Sequence, residues 1–374
     1  MNSRKPRSVR RSEKRRRIMP PLRGGVNAAP IRLPLDPSGT WRTLGEWLSD
    51  RFGSEAAAGL LERGSVLAGH GITASNNYPY RAGERIWIFR PVPDEPAVPI
   101  ELAVVAENER FVVVDKPHGM ASVPKGSHVA NSVLVAARRQ FKNDLLVAAH
   151  RLDLETAGLV LLVKEPQWRG AYQLLFERRR IRKTYRAVAP LIGAAGAAAA
   201  GAAAAGAAAT GAGTASEGAL GLAASGQRWH SELMLQKTDG ELRVQLVDVA
   251  APRQNRKYNP AVYYGERRRA PKRIGTAITD IALQRVVGTP GGEQLGVYAL
   301  YPHTGFTHQL RVAMAELGAP ICGDPLYPHQ LSLAQSEARE YPLQLLAASL
   351  DFVDPITGEA MRVESRQHLA LEIS

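Results

Sequence analysis

The sequence predicts an α+β protein in two parts, a small N-terminal module followed by a larger domain. Three observations carry that expectation. Runs such as Phe111-Val112-Val113-Val114 and Leu159-Val160-Leu161-Leu162-Val163 have the length and bounds of buried strands. Among them stand segments with apolar residues at helical spacing, as in Trp168, Ala171, Tyr172, Leu175 and Phe176. Pro91, Pro93, Pro96 and Pro99 then mark a stiff linker between the two parts.

Composition bounds the function. The 374 residues suffice for two cores, and 45% hydrophobic with 22% charged residues is ordinary for a soluble globular chain. No apolar run reaches bilayer length, and the charged start lacks a signal-peptide core. The single cysteine, Cys322, excludes an intrachain disulfide and a multi-cysteine metal site. The expectation is a cytoplasmic monomer. Of the formal charge of +13, nine Lys/Arg and one Glu between Arg4 and Arg17 supply +8. A basic arm of that kind suits a polyanion, most often nucleic acid, although a solvated tail without a target has the same composition.

Taken in order, residues 1–35 hold several prolines and no apolar period, and read as a disordered basic tail. The module at 36–95 opens with Leu44, Trp47, Leu48 and Phe52 on one helical stripe. A second helix covers Ala56 to Arg63 and stops at Gly64. Ser65-Val66-Leu67 and Glu84 to Phe89 read as strands around the turn at Ala82-Gly83. Two short helices and a hairpin look like the αL RNA-binding module, through Gly64-Ser65-Val66 and Arg81-Ala82-Gly83-Glu84.

The domain at 99–374 begins with the strand at Phe111, stopped by Pro117 and Gly119. A helix over Val129 to Phe141 leads to His150-Arg151-Leu152-Asp153-Leu154-Glu155-Thr156-Ala157-Gly158, a loop set against a buried strand. Loops on rigid strands commonly hold catalytic groups, but alone these residues read as an Arg and an Asp in a surface turn. The helix from Trp168 ends in Arg178-Arg179-Arg180, where its dipole favours cations and where RNA phosphates are also compatible. Lys183 to Ala189 is a strand. Residues 193–226 are almost all Ala and Gly, cannot build a core, and read as a low-complexity insert between neighbouring strands near Tyr185 and Trp229. Arg267 to Arg269, Lys272 and Arg273 form a second basic cluster, read as a solvated loop or an RNA contact. Gly296 to Pro302 is a strand, and a helix carrying Leu310, Ala313, Met314 and Leu317 follows. Thr307 suits its N-cap, Gly318 and Pro320 its stop, and Arg311 reaches outward from its start.

Three stretches in this order resemble the RluA family of RNA pseudouridine synthases. They are Val113-Val114-Asp115-Lys116-Pro117 with Gly119; His150-Arg151-Leu152-Asp153 with Thr156 and Gly158; and Thr304-Gly305 through Thr307-His308-Gln309-Leu310-Arg311, continued by Gly318, Pro320-Ile321, Gly323-Asp324 and Tyr327. Leu343-Gln344-Leu345 through Asp354 to Glu359 looks like that family's closing strand pair. Departures are Phe306 where Arg or Lys is usual, Ala313 where His is usual, and Ala157 in place of Ser.

The resemblance implies a mainly antiparallel mixed sheet with a cleft across its middle. It also implies isomerisation of uridine to pseudouridine in ribosomal or transfer RNA, with no metal or organic cofactor. Asp153 would be the essential carboxylate, Arg311 its ion-pair partner and Tyr185 the aromatic against the target base. Leu310 would floor the base, and Arg151 would enter the gap that the flipped base leaves. Lys183, His308 and Lys116 would meet substrate or hold loops. Standing alone, Tyr185 is a strand aromatic and Arg311 a helix-surface cation. Glycoside hydrolases need two carboxylates, whereas here the leaving group returns and one suffices. The competing reading is a catalytically silent RNA-binding or ribosome-assembly factor on the same fold. A hydrolase pairing Asp153 with a histidine lacks any serine-elbow or metal-spacing motif.

Overall fold

A computed structural model of the chain describes residues 20–69, 71–89, 101–125, 128–193, 226–238, 241–247 and 273–372. The basic arm, the proline linker, the Ala/Gly insert between its end glycines and the cluster at 267–272 lie outside the described residues. Two compact units are resolved, one spanning Met1–Pro99 with Pro124–Asn131 and the other Ile100–Val123 with Ser132–Ser374.

The first unit contains β1 (Ala29–Arg32), α1 (Leu44–Phe52), α2 (Ser54–Glu62), β2 (Val66–Ala68), β3 (Ile72–Thr73) and β4 (Arg85–Ile88), with sheet order β1-β4-β2-β3. Thr43 starts α1 through a capping box with Glu46, which satisfies backbone donors at the helix N-terminus. Leu44, Trp47 and Leu48 pack with Leu60, Val66 and Ile86. Phe52 departs from the expected stripe, being 42% exposed and set edge-on to Trp47. Strand β1 lies inside the segment expected to be disordered to residue 35. It pairs with β4 and half-buries only alternate positions, so it never made an apolar run in the sequence.

The second unit comprises β5 (Ala103–Glu107), β6 (Phe111–Lys116), α3 (Val133–Gln140), β7 (Val147–Ala148), β8 (Ala157–Val163), α4 (Pro166–Glu177), β9 (Arg182–Pro190), β10 (Arg228–Lys237), β11 (Gln245–Leu246), β12 (Arg273–Gly288), β13 (Gln294–Pro302), α5 (Gln309–Glu316), α6 (Leu333–Glu337), β14 (Leu345–Val353) and β15 (Ala360–Glu364). Among the described residues its strands form an eleven-stranded sheet, ordered β11-β10-β12-β13-β9-β14-β8-β6-β5 with β7 on β8 and β15 on β14. The pairs are antiparallel except β8 with β14, so the sheet is mixed and mainly antiparallel.

The apolar runs follow from burial of both sheet faces. Val112, Val114, Val160 and Leu162 pack against α3, while Phe111, Val113, Leu159 and Leu161 pack against α4. Tyr172 of α4 donates from its hydroxyl to Asp354 at 2.8 Å, and Arg110 reaches the same carboxylate at 3.2 Å. Those bonds seat α4 beside the β14–β15 turn. Helix α5 packs Leu310 and Met314 over Tyr298 and Leu300 of β13.

Three further expectations differ in detail. Helix α3 starts at Val133, not Val129. Strands β9 and β10, expected to be sheet neighbours across the insert, are separated by β12 and β13. The residue preceding α5 is His308, in the left-handed conformation at φ 55°, and Thr307 lies outside the helix. Gln309 takes over the local polar bonding there, accepting from Thr304 Oγ1 and from Phe306 N.

Candidate active site

The centre of the sheet brings remote segments into one row. Ala347 of β14 is flanked by Gly158 of β8 on one side and Tyr185 of β9 on the other, and Tyr185 is flanked in turn by Leu300 of β13. Gly158 has φ +109°, and a Cβ there would lie 2.3 Å from the Ala347 carbonyl oxygen, so only glycine lets the parallel pair close. The His150–Thr156 connection therefore ends beside Tyr185. The segment from His303 to Arg311 leaves β13 above the same row.

Asp153 sits on a connection pinned on both sides. Leu152 has both backbone groups bound by the Ser122 hydroxyl, at 2.9 Å each. The Leu154 carbonyl accepts from Lys116 Nζ at 2.8 Å, and Lys116 also donates to the carbonyls of Pro117 and Met120. Glu155 holds Arg339 at 3.2 Å, and its carbonyl meets His118 Nδ1 at 2.7 Å. With its neighbours fixed, Asp153 leaves its side chain 34% exposed in a cleft of about 1390 Å³. Such pinning limits the freedom lost when a reacting geometry forms.

The cleft brings together Asp153, Tyr185, Arg311, Leu310, Arg151, Lys183 and His308. The Tyr185 phenol is pushed up by burial and further by the charge of Asp153, so it stays protonated across the working range. Leu310 is 7% exposed, and Tyr185 packs against the same core cluster. Arg151 lines the cleft as an exposed side chain.

Two site expectations require correction. Arg311 is 2% exposed and does not reach outward. Its bidentate carboxylate is Asp324, at 2.7 Å from Nε and 2.5 Å from Nη2, rather than Asp153. Burial opposes the Arg311 charge, but Asp324 outweighs it, with a smaller contribution from Asp153, and the guanidinium is held above its usual range. Arg311 therefore acts on Asp153 through its field across the cleft. Lys116 is fully buried and spends its three bonds on carbonyls, which makes it an anchor and not a substrate contact. Burial lowers it to about 7 against the opposing pull of Asp153 and Glu155.

His308 stands beside the Asp153 carboxylate, Nε2 to Oδ2 at 4.0 Å, and its Nδ1 lies 3.1 Å from the Tyr327 hydroxyl. Burial drives it down to about 4, so it is neutral near pH 7 and adds no second cation beside Arg311. Phe306 lines the cleft too, packed near Val312 and above Gly275. Sequence reasoning gave no role to Ser122 or Asp324. Asp324 stood in the Gly323-Asp324 motif, which was its only signal. Ser122 had none, because its bond to Leu152 spans 30 residues. Among the described residues no cluster of His, Cys, Asp or Glu is arranged to hold a metal ion, and no helix is long and apolar enough to cross a membrane.

Comparison with known proteins converges on one family. A family model described as RNA pseudouridylate synthase matches residues 110–316. An uncharacterised RNA pseudouridine synthase of Synechocystis is 33% identical over 128 residues, covering 34% of this chain and 44% of that one. The dual-specificity RNA pseudouridine synthase RluA of Vibrio cholerae is 28% identical, covering 67% of this chain and 77% of that one. The tRNA pseudouridine synthase C of Vibrio parahaemolyticus is 25% identical, covering 70% of this chain and 89% of that one. The matched span holds the pinned connection, Tyr185 and the start of α5.

Proposed function

The chain belongs to the RNA pseudouridylate synthase family of isomerases, and on that premise we propose that Asp153 is the carboxylate with which it converts specific uridines in ribosomal or transfer RNA. In the reaction the bond from ribose C1′ to uracil N1 breaks, the base turns, and C1′ bonds to C5. The proton lost at C5 is balanced by one gained at N1, so no water or co-reactant is consumed. Asp153 either attacks C1′ or stabilises the cationic sugar. The reacting nucleotide leaves its stack at a cost of a few kcal/mol.

The observation that carries this reading is the convergence of Asp153, Tyr185 and Arg311 from distant segments into one cleft. A protonated Tyr185 offers an aromatic face and a hydroxyl to the turning base. Leu310 and the Tyr185 ring keep water from the cleaved state, which it would otherwise trap as an abasic product. Arg311, fixed by Asp324, supplies positive potential without competing for hydrogen bonds with Asp153.

Asp153→Asn keeps size and removes charge. It is expected to cut pseudouridine formation by about a thousand-fold or more, as removal of essential nucleophiles does. RNA affinity and the unfolding midpoint should stay within experimental error. Chemical mapping of pseudouridines in cellular RNA from strains with and without the gene identifies the target. Turnover retained by the Asn variant removes Asp153 from the chemistry.

A further inference from the structure

The flank of the cleft around the α4–β9 turn carries charge that the fold does not use. Helix α4 ends in a Schellman motif: Arg180 N donates to Leu175 O at 2.8 Å and Arg179 N to Phe176 O at 3.2 Å. The same motif closes α2 at Gly64 and α5 at Gly318, each with positive φ. At α4 the left-handed position is held by Arg179, at φ 56°, where a side chain strains the backbone. Arg179 and Arg180 are exposed and line the cleft, and their guanidinium groups have no hydrogen bond or ion pair to a described residue.

Lys183 extends the same patch. It has no bonding partner for its ammonium among the described residues, and burial and then the charge of Arg179 lower its proton affinity. Nearby carboxylates do not neutralise the group. Asp351, across from Arg182 in the register, is taken by Arg362 at 3.5 Å, which also holds Glu364. Glu177 is a lone exposed carboxylate on the cleft wall. Alternation along β9 puts Lys183 on the same sheet face as Tyr185, roughly 6–7 Å further along the strand. A like-charged cluster one side chain from the base-facing tyrosine is short of an anion.

We propose that Arg179, Arg180 and Lys183 form a phosphate-binding subsite that grips the RNA backbone beside the nucleotide held against Tyr185. It rests on the cleft being where RNA reacts, as proposed above. A chain lying across this flank places its phosphates on the three cations while the adjoining base turns into the pocket. The contact is sequence-independent, so it fixes register and leaves the choice of uridine to other contacts. The helix dipole alone would also favour cations here, and the two roles separate by experiment.

Arg179→Gly, Arg180→Ala and Lys183→Met are compared with the intact chain and with Lys142→Gln. Lys142 ends α3 in the same left-handed conformation but does not line the cleft. Binding of a hairpin RNA with a uridine-containing loop, and of single-stranded oligouridylate, is measured against salt. Each cleft variant should lower the slope of log affinity against log salt by about 0.7 on the single strand, and Lys142→Gln should not. For the hairpin, KM should rise with kcat kept. Arg179→Gly should also raise the unfolding temperature by about 2–4 °C by relieving strain, so its weaker binding cannot come from misfolding. Unchanged slopes in all three, with Arg180→Ala lowering only the midpoint, would overturn the subsite and leave the arginines to the helix end. Failure of the catalytic reading would instead appear as no turnover in the intact chain with the slope differences still present.

Discussion

At the scale of single residues, the decisive pair is Arg311 with Asp324. Both side chains are at most 2% exposed, and removing one partner of such a pair leaves a buried charge. The two halves are not equivalent. Asp324 also accepts the backbone N–H groups of Leu326 and Tyr327, whereas Arg311 has no second carboxylate in hydrogen-bond reach among the described residues. Asp324→Leu is therefore expected to cost about 3–5 kcal/mol and Arg311→Met clearly less, read from urea unfolding. Equal losses would contradict the asymmetry. Both variants should lose activity, because Arg311→Met removes the cation facing Asp153 and Asp324→Leu removes the carboxylate that fixes it in place. Residue types at this site were legible in the sequence, but partners were not. Arg311 looked like a surface cation because its own helix has no acid three or four residues away to pair with it, and the carboxylate that holds it lies 13 residues on, past the helix end.

At the scale of elements, strands buried on both faces announce themselves as apolar runs, and β6 and β8 were legible for that reason. A strand that only half-buries alternate residues, like β1, left no such run. The loop before β8 ties its chemistry to packing through His150, whose ring stacks on Phe176 of α4 at 4.1 Å while Nε2 accepts from Leu161 N at 3.2 Å. An acceptor nitrogen must be unprotonated, and burial first, then Lys183, lowers His150 to about 3. His308 falls to about 4. An unfolded chain takes up these protons near pH 6.5, which the native state refuses until far lower pH. Stability is therefore complete above pH 6.5 and is lost as pH falls through 6 toward 4. His150→Gln should lower the midpoint at pH 7 yet make the fall below pH 6 shallower, by up to about 1.4 kcal/mol per pH unit. A fall of unchanged steepness, measured by unfolding at pH 7, 6, 5 and 4, would exclude this histidine.

At the scale of the whole molecule, charge is divided between a site and a tail. The arm from Arg4 to Arg17 lies outside the described residues, and its composition alone predicts a long-range attraction to RNA. Deleting residues 1–17 should weaken RNA binding mainly at low salt and leave kcat unchanged, since the arm screens out beyond a Debye length. A salt slope equal to that of the intact chain would mean the arm makes no RNA contact. The deletion is expected to leave KM for a bound hairpin at high salt unchanged, whereas the cleft variants should raise it, which separates an arm that attracts RNA from a flank that sets its register. By itself the sequence determined the family, most of the strands and helices of its larger domain, and the candidate residues that meet in the cleft. These are local patterns, set by side-chain type and spacing along the chain. Only the tertiary structure decided that β12 and β13 come between β9 and β10, that Ser122 and Lys116 clamp the Asp153 connection, and that Asp324 rather than Asp153 takes Arg311. Those outcomes depend on which remote groups exclude water from one another, and no window of neighbouring residues contains both partners.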